Sequence, residues 1–510
     1  MAVLSGGDWR RGLPDPEWRA YILRARERFL KGEAATTAEV RRLYRRVARQ
    51  VRRDLEAVAS GTLQQHHLRA LERLLDRRAR ELNDQLLKAI TAGIELSVRE
   101  ATRGAEQLAL DVLSPVYEPP AVRRMFAAIN ERAVLALLSR TRGDGLRLSN
   151  RVWRIAERAR NAVRRIVEDG VTRGQDARVL ARQVQRYLQP GVRTALKPET
   201  RRRLRVPKDL SMEALRLAVT EVNTAFHEGT ILAQRAIPSY LGVYWRLSAS
   251  HPVPDVCDRY AANNGNGFWP KGEEPERPHP WCRCVVVPAH EDPDAFVQRL
   301  RAWLRDPQSQ PDLEAWYTGV REFLPRPPLI TGGSGGGRLL DLLIDQIISG
   351  QRLVTSTTIG FLRQEAAQAG FNTAPAERAG GRLAGLQWQG RIIRSHDLLP
   401  SDAAHYLRHV VVQQEWPPGT SLDEYVDDLR AVILDPGSGV FVNVYGGVFR
   451  QLGFVGRSRK QGPEGAPWTI VEYRAGFGHW VTGYQSTWNK IVQNPQRSAL
   501  QWLKKPSGSP

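Results

Sequence analysis

All three cysteines of this 510-residue chain fall between Cys257 and Cys284. Two of them stand one residue apart behind a histidine, in Pro278-His279-Pro280-Trp281-Cys282-Arg283-Cys284. Thiolate sulfur and imidazole nitrogen are the donors a tetrahedral zinc takes, and four of them close a structural site. Cys257, His279, Cys282 and Cys284 supply that number. On a strand, Cys282 and Cys284 would face the same way, and a tight turn at Pro280 would return His279 to them. Metal there would close a loop too rich in Gly, Asn and Pro to hold its own shape. Two arrangements compete: a disulfide from Cys257 to Cys282 or Cys284, and thiols packed as small apolar groups. His251, Asp255 and Asp258 add further donors to the same loop.

A second set lies towards the C-terminus. His405 and His409 stand at i and i+4, on one helix face with Arg408 beside them. Thr482 and Tyr484 stand at i and i+2, on one strand face, close after His479. Arg457, Arg459 and Lys460 lie between. Histidine to move a 2′-hydroxyl proton, a cation to steady a charged phosphorane and hydroxyls to bond phosphate would make a metal-free ribonuclease site. The plain alternative is a packed histidine face and ordinary strand composition.

The elements that must position these groups are legible as patterns. From Pro16 to Leu110 the spacing is helical; Leu43, Tyr44, Val47, Ala48, Val51 and Leu55 form one stripe, with seven arginines between Arg41 and Arg53 on the other faces. Leu113–Pro120 breaks this block, more helix runs from Ala121 to about Leu188, and a basic loop follows. Met212 to about Ala236 reads as a helix capped by Ser211. Tyr240–Ala249 and "CRCVVVP" read as strands around a loop from His251 to Pro280. Helices are expected over Pro293–Arg305 and near Leu313–Phe323, then a Pro/Gly/Ser tether at Pro325–Gly337. Helices from Arg338 to Ala369, Ser401–Gln414 and Leu422–Val432 precede four strands: "GVFVNVYGG", "RQLGFVGRSR", "WTIVEYRAG" and "GHWVTGYQST".

The expected fold class is α+β and multidomain. Its parts are a helical Arg-rich region (1–205), a small α/β module carrying the cysteines (206–324), the linker (325–337), a C-terminal α+β domain with an antiparallel sheet (338–495) and a flexible tail (496–510). A net charge of +21 favours polyanionic partners, nucleic acid first. No apolar run is long enough to span a membrane, and the first residues lack the order of a signal peptide, so the expectation is a cytosolic site of synthesis with reduced thiols.

The stretch Thr220–Pro288 resembles the phage Mu F-like minor head protein family, the head morphogenesis domain. Thr220, Asn223 and Thr224 match its helix element; Trp245, Ser248, Asp255, Cys257 and Asp258 match its strand and loop. Pro278, His279, Pro280, Cys282, Arg283 and Cys284 match its closing signature. Many relatives carry Cys-x-x-Cys in the loop; here the second position is Tyr260, so His279 or His251 must complete a metal's donors. The resemblance implies a non-enzymatic minor capsid protein, placed in the virion near the portal, with portal, capsid proteins and packaged DNA as partners. The C-terminal part resembles the barnase/EndoU/colicin/RelE-type nucleases. That resemblance implies an RNase-type effector delivered with the phage DNA, host RNA as its target, and site residues His405 or His409 with Thr482 and Tyr484.

Overall fold

Leu43, Val47, Val51 and Leu55 recur every four residues, and a single helix, α1 (Pro16–Val58), buries that stripe. The computed structural model describes residues 11–58, 62, 67–141, 143–192, 196–249, 251, 253–327, 335–380 and 383–510. Its chain divides into two units, Met1–Leu108 with Arg124–Glu291 and Ala109–Arg123 with Asp292–Pro510. The α+β class expected from the sequence is what forms. No helix among the described residues is long and apolar enough to cross a membrane.

In the first unit, apart from the end of α2 and the start of α3, which count with the second, α1 is followed by α2 (Leu68–Val112), α3 (Pro119–Ser139), α4 (Leu148–Thr172), α5 (Ala177–Leu188), α6 (Pro198–Leu204) and α7 (Leu210–Arg235). Helix α1 packs chiefly on α5 and α7. Its stripe joins Leu86, Ile90, Val152, Val163, Leu180 and Val184 in one core, each large side chain contributing about 1.5–3 kcal/mol by burial. Two expectations change here. The basic loop contains α6, which Pro198 starts in the first helical turn. The cap of α7 is Asp209, whose carboxylate accepts from the backbone N–H groups of Ser211 (3.0 Å) and Met212 (3.3 Å).

A three-stranded antiparallel sheet completes this unit: β1 (Tyr240–Arg246), then β2 (Phe268–Pro270) and β3 (Val285–His290), in the order β2-β1-β3. Between β1 and β2 the expected irregular loop holds a short helix, α8 (Val256–Ala262). Asp255 and Asp258 cap it reciprocally, which is how a Gly/Asn-rich stretch gains a turn of helix. The strand expected from Cys282 starts only at Val285. The carbonyls of Cys282 and Cys284 accept from the side chain of Arg277 instead of a neighbouring strand.

The second unit contains α9 (Pro293–Arg305), α10 (Pro311–Val320), α11 (Gly335–Ile348) and α12 (Ser356–Ala369). Two small ribbons follow, with β4 (Pro375–Arg378) pairing β7 (Leu398–Pro400) and, between them in the chain, β5 (Gln387–Trp388) pairing β6 (Arg391–Ile392). After α13 (Ser401–Tyr406) and α14 (Leu422–Leu434) come the four expected strands, β8 (Gly439–Tyr445), β9 (Phe449–Arg457), β10 (Trp468–Arg474) and β11 (His479–Ser486). Helix α15 (Trp488–Val492) leads to β12 (Arg497–Lys504), and the sheet runs β11-β10-β9-β8-β12. The expected flexible tail is therefore largely an edge strand: Trp502 stands opposite Phe441 in register. Helix α9 packs on α12, in this unit rather than with the Cys/His module. Of the expected linker, residues 328–334 lie outside the described residues, and Gly335–Gly337 open α11.

Candidate functional site

The cysteines reach one another because two turns bring them there. Asp255 accepts from the Cys257 N–H at 2.6 Å and starts α8, which carries Cys257 inward. On the other side the Cys282 N–H donates to the His279 carbonyl at 3.4 Å. Trp281 completes that turn in the left-handed region, at φ 64°. Cys257 Sγ then lies 3.6 Å from Cys282 Sγ and 3.4 Å from His279 Nε2, while Cys284 Sγ lies 4.0 Å from His251 Nδ1. Around a tetrahedral zinc with Zn–S near 2.3 Å, sulfurs stand roughly 3.8 Å apart.

All four expected donors, Cys257, His279, Cys282 and Cys284, are thus brought together, and His251 joins them. Cys257 belongs to two overlapping triads, one with His279 and Cys282, the other with His251 and Cys284. Both imidazoles are oriented by a partner on the far nitrogen, as metal-ligating histidines are. His251 Nε2 bonds Asp258 at 2.9 Å, and His279 Nδ1 bonds the Pro280 carbonyl at 2.9 Å. His279 Nε2 also lies 3.1 Å from Asp255 Oδ2. The three sulfurs are free thiols, buried in a core with Tyr240, Val243, Trp245 and Val286. The cluster could hold a metal ion. Tyr260, where the resemblance expects a cysteine, packs edge-on between Trp245 and Trp269 and so serves that core instead.

Sequence reasoning passed over Arg277. It is half-buried; its Nε donates to the Asn223 carbonyl at 3.0 Å, one Nη to the Cys284 carbonyl at 2.9 Å and the other to the Cys282 carbonyl. Its neighbour Cys284, with the charge of Arg277 assisting, pulls the Cys282 thiol below its ordinary value, while burial first of all pushes the Cys257 thiol up. A divalent cation held there by three thiolates would carry one excess negative charge, which the nearby Arg277 would offset. Its sequence signal was only its place next to Pro278, one among 75 Lys and Arg.

In the second unit three of the expected residues form a row. Phe371 stacks on His405 (5.2 Å between centroids), His405 on His409 (5.7 Å) and His409 on Tyr484 (5.8 Å). One wide turn, Leu407–Val412, keeps the two histidines in line. Glu415 bonds His409 at 3.1 Å and Glu377 lies 3.5 Å from His405. Burial lowers the pKa of His405 before any neighbour acts. Arg408 reaches this row only electrostatically, through His405 and Glu377. Thr482 sits across from Glu472 on the sheet. Arg457 stacks on Trp468 and Lys460 pairs with Glu424, so these cations stand elsewhere. The cation at the row is Arg497, which donates to the Tyr484 hydroxyl at 3.1 Å and pairs with Glu472 at 3.0 Å. At 5% and 8% exposed, His405 and His409 present almost no surface to a polynucleotide.

The chain matches no protein-family model, no curated protein and no solved structure.

Proposed function

We propose that this protein is a phage minor capsid protein of the head-morphogenesis type, working at the portal or inside the head in assembly and in DNA packaging or delivery. One observation carries the reading: the separated pieces of the sequence resemblance meet in space. The Trp281 N–H donates to Thr220 Oγ1 at 3.3 Å, Arg277 bonds the Asn223 carbonyl, and Cys257 meets the His279–Cys284 signature. The portal, the capsid proteins and packaged DNA are the partners, and the virion is the location. The cluster holds zinc through Cys257, Cys282 and Cys284, with His279 or His251 as the fourth donor. Zinc here supplies a cross-link and no chemistry on a substrate. The test is to co-express the chain with the portal and major capsid proteins of its own phage and weigh the purified heads by mass spectrometry. The chain is expected at low copy in portal-containing heads; heads that assemble fully without it would overturn the reading.

A second reading rests on the histidine row. Two imidazoles, a tyrosine hydroxyl and Arg497 are the groups a metal-independent RNase uses, and the burial of the row requires it to open first. RNA incubated with the full chain in EDTA tests this, with His405→Ala and His409→Ala beside it. Cleavage that both substitutions abolish supports an effector role; intact RNA dismisses it.

A further inference from the structure

A cleft of about 820 Å³ in the first unit is walled by α1, by the middle of α7 and by the segment 277–286. This is within the range of small-molecule sites. Lys31 pairs with Glu27 and Arg283 with Glu33, each at 2.7 Å. Arg277 is committed to three carbonyls. Arg26 is not committed. It forms no hydrogen bond among the described residues, and its electrostatic neighbours are a second cation, Arg277, and Glu33. Burial lowers its pKa to about 10, so it remains a cation at neutral pH. A half-buried guanidinium beside another cation, with its neighbour Glu33 already paired to Arg283, is favoured by a further anion.

Two further features describe the rest of the ligand. Phe29 and Phe226 stack with centroids 4.1 Å apart and, with Val285 and Val286, give the cleft an apolar wall. His227, 1% exposed, also lines it. Its Nε2 lies 2.9 Å from the Pro275 carbonyl, which can only accept, so the proton is on Nε2. Nδ1 is then a buried acceptor, and it has no partner. We propose that this cleft binds a nucleotide: Arg26 takes a terminal phosphate, the apolar wall takes the base, and His227 Nδ1, closed off in the empty cleft, accepts from an exocyclic amino group once the base seats against it. A bare phosphate or carboxylate would leave the wall and His227 unanswered. The phosphate comes either from a free nucleotide or from the 5′ end of a nucleic acid.

Titration calorimetry of the full chain with dAMP, deoxyadenosine, inorganic phosphate and a 5′-phosphorylated deoxytetranucleotide tests this. One dAMP or one tetranucleotide per chain is expected, and the tighter of the two identifies the source. Deoxyadenosine and phosphate alone should each bind at least about tenfold more weakly, the effect of losing one charged or apolar contact set. Arg26→Met should weaken dAMP by about tenfold or more at an unchanged melting temperature. If that variant fails to fold, saturation-transfer NMR on the native chain decides, with transfer to the adenine H2 and H8 protons expected. No saturable binding to folded protein, unchanged binding by Arg26→Met, or no transfer to the base would overturn the proposal. This inference is independent of the capsid reading.

Discussion

Arg277 shows what a single side chain does here. Its guanidinium satisfies three backbone carbonyls, two of which belong to the candidate metal donors Cys282 and Cys284 and one of which lies on α7. Leaving such carbonyls buried and unpaired costs about 1–3 kcal/mol each. Arg277→Met should therefore lower stability by about 3 kcal/mol or more in denaturant unfolding. Arg277→Lys should do little better, because an ammonium's donors sit on one nitrogen and cannot reach acceptors spread around the planar guanidinium's three. A loss below about 1 kcal/mol would contradict this account of the loop.

Two buried histidines add a pH dependence at the same scale. Burial drops His227 and His290 to about 3 from an ordinary value of 6.5. His290 is held neutral on both sides, with Nε2 against the Gln234 carbonyl oxygen and Nδ1 against the Ser239 hydroxyl, each at 2.9 Å. A depressed histidine pKa means that the unfolded chain binds the extra proton first. Its contribution to stability is whole above pH 6.5 and is lost as pH falls from there towards 3. Each group should cost about 1.4 kcal/mol per pH unit across that window. Chemical unfolding at pH 7 and pH 5 measures it, and the Gln substitution of either residue should flatten the slope.

At the scale of elements, the C-terminal strand matters most. β12 covers β8, and Trp502 packs on Phe441 (5.2 Å) and Trp488 (5.4 Å). A chain ending at Gln496 loses that pairing and bares an edge strand. It should melt earlier, with a loss of about 1.5–3 kcal/mol for the half-buried Trp502 side chain, and should aggregate; equal melting would contradict this. In the middle of the sheet, the Cβ of Gly453→Ala would fall on the Phe441 ring, at a cost of about 1–3 kcal/mol. Strands β8–β11 were legible because aromatic and β-branched runs stand between glycine turns. β12 was not: "RSALQWLK" alternates weakly, and the Phe441 and Trp488 contacts that hold it are tertiary. The same limit explains the sites. Cys257, His279, Cys282 and Cys284 were readable as donor types at a compact spacing, and His405, His409 and Tyr484 as helix and strand faces. Arg277, Arg497 and Arg26 were not, since an arginine among many acquires meaning only from the groups the fold puts around it.

For the whole molecule, the surplus of +21 should act on polyanions. The outer face of α1 exposes Arg41, Arg45, Arg49 and Arg53, while Arg42 and Arg46 pair with Glu39. The full chain should bind random-sequence duplex DNA with an affinity that falls at least about tenfold between about 50 and 200 mM NaCl. Arg45→Gln with Arg49→Gln should flatten that salt slope, and a salt-independent affinity would argue against DNA as the partner. The sulfur–imidazole cluster draws the α8 loop together with the segment that leads into β3. Its most direct test is elemental analysis of the intact protein purified without chelator, beside the Cys257→Ser, Cys282→Ser double variant. About one zinc per chain is expected, absent from the variant, with the native protein's melting temperature falling when zinc is stripped. A folded native chain that carries no zinc, and whose melting does not change when zinc is added, would contradict the account.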